Sequence, residues 1–389
     1  MKVYNHELLK RKALILVVML GLVSLFGDMT YEGARSITGP FLAVLGANAL
    51  VVGFVAGLGE FLGYSLRLLS GYITDRTHQY WSLTIIGYAI NLLAVPLLAL
   101  AGSWEIAAVL LVTERMGKAI RTPPRDVMLS YATTSLGRGW GFGLHEAMDQ
   151  IGAITGPLLV ALILYFQGSY QASFAFLLLP AILALLVLIF SRLTYPNPQK
   201  LEIDLPKFKT GGLRRVYWIF MIASALIAIG FVDFPLIAYH FQKQSLLNPS
   251  MIPIFYAVAM GVDAIAALFF GRLFDKVGIG AMAISTLAAA FFTPLVFLGG
   301  VDYILLGVVF WGVGMGAQES IMRASIAEIT PSKKRGIAYG VFNTIFGISW
   351  FAGSILMGFL YDINVFYLVV ISLIAQFMAI PLLLKTIKK

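Results

Sequence analysis

The sequence predicts an all-α integral membrane protein, with twelve transmembrane helices in two six-helix pseudo-repeat bundles. Three observations carry this reading. Of 389 residues, 59% are hydrophobic and only 12% charged, against about 25% charged in an ordinary soluble domain. Apolar runs of about 20 residues, the length that crosses a bilayer, recur along nearly the whole chain. The second half also repeats features of the first.

The spans read as 13–43, 49–70, 81–101, 104–124, 139–166, 171–194, 214–241, 252–270, 279–299, 303–324, 336–360 and 364–385. The first follows the basic stretch MKVYNHELLKRK. It shows no small-residue cleavage site, so it reads as a span and not as a removable signal. It is long enough to tilt or bend, with Pro40 marking the bend. The longest polar stretch, SRLTYPNPQKLEIDLPKFKTGGLRR at 191–215, separates six spans from six. The expected organisation is an N-terminal bundle at 1–195, a cytoplasmic linker at 196–213 and a C-terminal bundle at 214–389.

Basic residues crowd one side: Lys10, Arg11, Lys12, Arg76, Arg121, Arg125, Arg138, the linker, Arg272, Lys276, Lys333, Lys334, Arg335, Lys385, Lys388 and Lys389. The opposite loops carry Glu105, Asp302 and Asp362, with Lys243 the single cation. The positive-inside rule then places both termini in the cytoplasm of a multi-pass protein of the cell (inner, cytoplasmic) membrane. It also explains the net charge of +9 without nucleic acid as a partner. The chain has no cysteine, which excludes disulfides, thiolate metal sites and cysteine nucleophiles.

The internal repeat is visible residue by residue. GYITDR at 71–76 faces GRLFDK at 271–276, GRGWGFG at 137–143 faces KRGIAYG at 334–340, and FGD at 26–28 faces FVD at 231–233. The offsets drift between 197 and 205, as loop-length changes in a duplication produce, and the offset of 197 superposes Gly156 on Gly353. Parallel six-span repeats suggest a transporter with a central site.

These residues carry a resemblance. Gly71, Asp75 and Arg76 resemble the G-x-x-x-D-R signature of the major facilitator superfamily in the loop after span 2. Gly271, Asp275, Lys276 and Gly278 repeat it, while His78 stands where a glycine is common in the first copy. LVTERMGK places Arg115 like the span-4 arginine of that superfamily, and GAITGP (Gly152 to Pro157) resembles a span-5 motif of its drug/proton antiporter branch. The resemblance implies the major facilitator fold, a monomer, and a cytoplasmic gate at Gly71, Asp75, Arg76, Gly271, Asp275 and Lys276. Asp126, in PPRD, is a candidate partner for Arg76.

Several ionisable residues lie inside spans, where each costs roughly 2.5–3.5 kcal/mol at the bilayer centre. The stretch GDMTYEGARS at 27–36 places Asp28, Glu32 and Arg35 at i, i+4 and i+7, on one helix face beside Tyr31. Span 4 carries Glu114, Lys118, Arg121 and Arg125 as a descending stripe. Glu114 can pair with Lys118, and Arg115, turned about 100° away, is free to meet a span-1 acid. Span 5 adds His145, Glu146 and Asp149, and span 2 adds Glu60, with Arg67 near its inner end. The second half offers Asp233 and Asp263, and has Met260 and Ala267 where the first has Glu60 and Arg67.

Asp28, Glu32, Glu114 and Asp149 are therefore proton-coupling candidates. Tyr31, Arg35, Glu60, Arg115, Lys118, His145, Glu146, Asp233 and Asp263 are candidates for lining a substrate cavity. The expected function is secondary active transport of a small organic compound by alternating access, as proton-coupled export. Partners are a small-molecule substrate, protons and the lipid bilayer. No cofactor and no enzymatic chemistry are expected, and no ATP-binding motif is visible. The alternatives are a proton symporter for an anionic or zwitterionic metabolite, a metal-cation transporter using His145 and Asp149, and a non-transporting membrane sensor.

Overall fold

In lipid every backbone polar group must be satisfied within the protein, so a chain this apolar folds as helices that close their own hydrogen bonds. A computed structural model describes residues 2–133, 136, 138–198, 215–330 and 335–387. Most of the linker expected at 196–213, together with Gly137 and Lys334 of the second repeat pair, lies outside the described residues. The helices are α1 (Lys2–Val44), α2 (Ala49–Thr77), α3 (Tyr80–Leu97, extended by a short 3₁₀ turn), α4 (Trp104–Thr133), α5 (Arg138–Gln167), α6 (Tyr170–Phe176), α7 (Leu178–Thr194), α8 (Arg215–Gly230) and α9 (Phe234–Lys243). They continue as α10 (Ile252–Val277), α11 (Gly280–Ala290), α12 (Phe292–Phe297), α13 (Val301–Ile329), α14 (Arg335–Ile363) and α15 (Val365–Ile387).

Joined as α6–α7, α8–α9 and α11–α12, these make twelve membrane-length passes. Among the described residues, eleven are long and apolar enough to cross a bilayer. The twelfth, α4, has the length but carries the charged stripe. Several helices run past their apolar part. The G-x-x-x-D-R residues Gly71, Asp75 and Arg76, expected in a loop, lie instead on the last two turns of α2, and Gly271, Asp275 and Lys276 lie on those of α10. Gly278 ends α10 at φ +60°, a left-handed conformation that glycine adopts without cost. His78 adopts φ +54° in the α2–α3 turn, its Nδ1 3.0 Å from the Tyr80 hydroxyl. The superfamily's common glycine at that position thus has a backbone reason.

α1 runs unbroken past Pro40, whereas span 7 is interrupted at Phe231–Asp233. The break follows from Pro235, which sits in the first turn of α9, where its missing N–H costs no helical bond. Asp233 caps that turn, accepting from the Phe234 N–H at 2.8 Å. The carbonyls freed by the break find side-chain donors: Trp311 Nε1 on Val232 O at 2.9 Å, Ser372 Oγ on Gly230 O at 2.6 Å and Gln376 Nε2 on Ile227 O at 3.3 Å. Pro180 and Pro294 stand just after the interruptions of spans 6 and 9 in the same way.

The chain divides into two compact units, one formed by Met1–Ala34 and Ser65–Lys207, the other by Arg35–Tyr64 and Phe208–Lys389. The first has a core of Leu16, Leu20, Tyr88, Leu92, Met128 and Leu188. In it α5 lies directly on α1: a Cβ on Gly156 would strike the Met29 carbonyl, and one on Gly152 the Leu25 carbonyl. α3 meets α4 as closely at Gly87 and Gly117. The second unit is centred on Phe231, Phe234, Tyr256, Trp311 and Trp350. There Gly353 of α14 packs on the backbone of Ile229 in α8. Gly156 on Met29 and Gly353 on Ile229 are therefore the same helix contact made once in each unit.

Candidate functional site

In the first unit α1, α3, α4 and α5 bring ionisable groups together. Positions 118, 121 and 125 share one face of α4, as their spacing requires. Lys118 Nζ lies 3.8 Å from Glu32 Oε1 and 3.8 Å from the centre of the Tyr31 ring. Arg121 is 1% exposed and lies between two aromatic faces, 4.1 Å from Tyr88 and 5.6 Å from Tyr31. Its Nε and Nη1 make no hydrogen bond. Asp28, buried on α1, is hydrogen-bonded by Tyr31, and its neighbouring cations are Lys118 and Arg121 rather than the Arg115 expected from the sequence.

Arg115 lies 3.3 Å from Glu114 on its own helix, and Asn91 Nδ2 of α3 donates to Glu114 Oε1 at 2.6 Å. The turn that presents 118 and 121 to α1 points 115 about 100° away, and 114, on the same stripe one turn earlier, sits where α3 packs closely on α4 through Gly87 and Gly117.

One turn further along, Arg125 donates through Nε and Nη2 to Asp126 Oδ1 at 2.9 and 2.8 Å and through Nη1 to Ser24 Oγ at 3.0 Å. His145, 3% exposed on α5, places Nε2 3.0 Å from Ser24 Oγ and Nδ1 3.5 Å from Asp149 Oδ2. Glu146 is exposed. The expected Arg76–Asp126 pair is not formed: Arg125 holds Asp126, and Arg76 lies 5.1 Å from the Tyr72 ring four residues back on its own helix.

The second unit holds a separate cluster. Arg35 Nη2 donates to Asp233 Oδ1 at 2.8 Å and lies 3.4 Å from Glu60 Oε1, all three well shielded from solvent. Asp263 is buried on α10 where Gly316 of α13 approaches. Asp362 of α14 accepts from the N–H groups of Ala49 and Leu50 at 3.1 and 2.9 Å, capping α2 from a distant helix.

The sequence-predicted residues thus separate. Asp28, Tyr31, Glu32, Lys118, His145 and Asp149 come together, Arg35, Glu60 and Asp233 form a second group, and Glu114 is held by Asn91 of α3 with Arg115 beside it. Arg121, Arg125, Ser24 and Tyr88 were missing from the candidates. The first two lay on the predicted stripe but were counted as loop-side basic residues, and a lone serine and tyrosine in apolar helices give no signal of their own. Among the described residues no three of His, Cys, Asp and Glu converge to hold a metal ion.

Comparison with known proteins agrees with this architecture. The family profile described as Major Facilitator Superfamily matches residues 20–354. An uncharacterised protein of Mycobacterium tuberculosis is 38% identical over 94% of this chain and 91% of its own length. An uncharacterised MFS-type transporter of Methanocaldococcus jannaschii is 29% identical over 90% of this chain and 89% of its own. The multidrug resistance protein MdtH of Photorhabdus laumondii matches 33% of the chain at 30% identity. Among solved structures, nucleoside transporter NupG superposes with a TM-score of 0.73 at 17% identity, covering 96% of this chain and 98% of that one. A peptide transporter POT mutant superposes at 0.76 with 13% identity, covering 96% and 95%.

Proposed function

The chain belongs to the major facilitator superfamily and is a multi-pass, non-enzymatic membrane transporter, and from that premise we propose that it exports a small organic compound in exchange for protons. The observation that carries the coupling is the loose pair of Glu32 and Lys118, 3.8 Å apart on different helices, with Asp28 beside it. A pair at that distance between α1 and α4 is sensitive to small helix shifts. Protonating the acid removes its attraction for Lys118, and separating the helices alters the acid's proton affinity. Protonation and conformation then bias each other, which is what a proton gradient needs to drive alternating access. Lys118, Tyr31 and Arg115 meet the substrate, and Asp28, Glu32 and Asp149 carry the proton.

The same reading takes the two sequence halves, 1–195 and 214–389, as the repeating bundles of a monomer in the cell membrane with cytoplasmic termini. The G-x-x-x-D-R copies on α2 and α10 then act at the cytoplasmic ends. The partial likeness to a multidrug resistance protein supports export. A second reading, uptake of an anionic metabolite with protons, is favoured by the four cations Arg115, Lys118, Arg121 and Arg125 on α4.

The test is a thermal-shift screen of the purified protein with drugs, organic acids, amino acids and nucleosides at two pH values. It is followed by transport of the stabilising compound in vesicles under opposite pH gradients. Accumulation inside acid-loaded, inverted vesicles supports export, uptake with the proton supports symport, and indifference to the gradient overturns coupling.

A further inference from the structure

We propose that His145 is a proton relay: Ser24, His145 and Asp149 line up as a wire that carries a proton between the Arg125–Asp126 end of the cluster and the Asp149 carboxylate. The inference rests on the proton-coupled reading above.

Donors and acceptors along this wire run in one direction. Both Nε and Nη2 of Arg125 are taken by Asp126, and Nη1 donates to Ser24 Oγ. A guanidinium can only donate, so it occupies a lone pair of Ser24 and leaves the single hydroxyl hydrogen for another acceptor. Two groups are in reach, His145 Nε2 at 3.0 Å and the Tyr88 hydroxyl at 3.4 Å, and the shorter distance selects the ring. His145 then carries its own hydrogen on Nδ1, which faces Asp149 Oδ2 at 3.5 Å. That last contact is long. The other carboxylate oxygen, Asp149 Oδ1, makes no hydrogen bond, so the carboxylate is free to rotate and close it. Both nitrogens of the buried ring thus face polar partners, a hydroxyl on one side and a carboxylate on the other, as a relay requires.

The transfer balances. The Nδ1 proton passes to Asp149 Oδ2 while Nε2 takes the Ser24 hydroxyl proton, and a hydronium ion admitted to Ser24, which is fully buried in this structure, restores that proton and leaves as water. The net change is one hydronium and one carboxylate converted to water and a carboxylic acid. The ring ends as its other tautomer and resets by rotation or on the return transfer. The charged and titratable groups facing His145 are Arg121 and Arg125 on α4, Asp149 on its own helix and, through Ser24, Tyr88 on α3; Asp28 on α1 and Glu146 on α5 act in turn on Asp149.

The experiment is a pH jump on the full-length protein in lipid, followed by the infrared carbonyl stretch of protonated carboxyl groups, with the proton itself as probe. Asp149→Asn identifies the Asp149 band. Positioned proton transfer is worth about 10²–10⁴ in rate, so His145→Gln and Ser24→Ala are expected to slow the rise of that band at least about tenfold. Ser24→Thr should keep the rate, and added imidazole should restore it in His145→Gly. Unchanged rates in His145→Gln and Ser24→Ala would overturn the relay while leaving proton coupling intact. If His145 variants do not fold, Ser24→Ala, which removes one oxygen, carries the test. Absence of any titrating carboxyl band in the wild-type protein would overturn the coupled reading, and the relay with it.

Discussion

Asp233→Ala tests the ion cluster of the second unit. The Asp233 carboxylate lies 2.8 Å from Arg35, with side chains 4% and 8% exposed. Removing one partner of a buried pair costs about 3–5 kcal/mol, because the survivor stays buried without compensation. Glu60 remains 3.4 Å from Arg35, which places this pair at the lower end, about 3 kcal/mol. Asp233 also caps α9 through the Phe234 N–H at 2.8 Å, worth about 1 kcal/mol more. The expected loss is therefore about 4 kcal/mol for Asp233→Ala and about 3 for Asp233→Asn, which keeps an acceptor for the cap. Equilibrium unfolding in mixed micelles, followed by tryptophan fluorescence, measures both. Arg35→Met in the Asp233→Ala background should recover part of the loss, since the buried cation is one of its causes, while the cap stays lost and Glu60 gives up its Arg35 partner. A loss below about 1 kcal/mol for Asp233→Ala, the level of an exposed pair, would refute the argument.

Three further outcomes are expected. Asp28→Asn and Glu32→Gln, singly and together, should abolish gradient-driven transport while leaving the protein folded; wild-type rates with unchanged pH dependence would show that neither acid carries the proton. Gly156→Leu and Gly353→Leu should each destabilise by about 1–3 kcal/mol in thermal unfolding, because their side chains meet the backbone of Met29 and Ile229. Trp311→Phe should cost about 1–3 kcal/mol by leaving the buried Val232 carbonyl without its donor, and an unchanged melting temperature would mean that another group satisfies it.

Length and hydropathy made the twelve passes legible, because a bilayer imposes the same apolar length on each. Helix ends were less so. The last turns of α2 and α4 leave the apolar layer, and nothing in composition separates a polar helical turn from a loop. The break in span 7 had a local signal in Pro235, but Pro40 and Pro157 lie inside unbroken helices, so the residue alone does not decide. The stripe on α4 was readable from its spacing, since helical periodicity fixes which residues share a face. Which neighbouring helix that face meets was not readable. Rotation about the helix axis is set by glycines on other helices, Gly87 and Gly152 among them, and it is this rotation that gives the span-1 acids Lys118 and Arg121 in place of Arg115.

The charge on α4 has a consequence for biogenesis. A segment with Glu114, Arg115, Lys118, Arg121 and Arg125 in its length does not partition from the translocon into lipid by itself, at roughly 2.5–3.5 kcal/mol per central charge. Its preceding neighbour supplies what lipid lacks. α3 offers Asn91 to Glu114, the Tyr88 ring to Arg121, and a glycine surface that lets the two backbones touch. The pair is therefore expected to enter the membrane as a hairpin, α3 supplying the partners that α4 lacks in lipid, so that the order of synthesis becomes part of how this transporter assembles its charged centre.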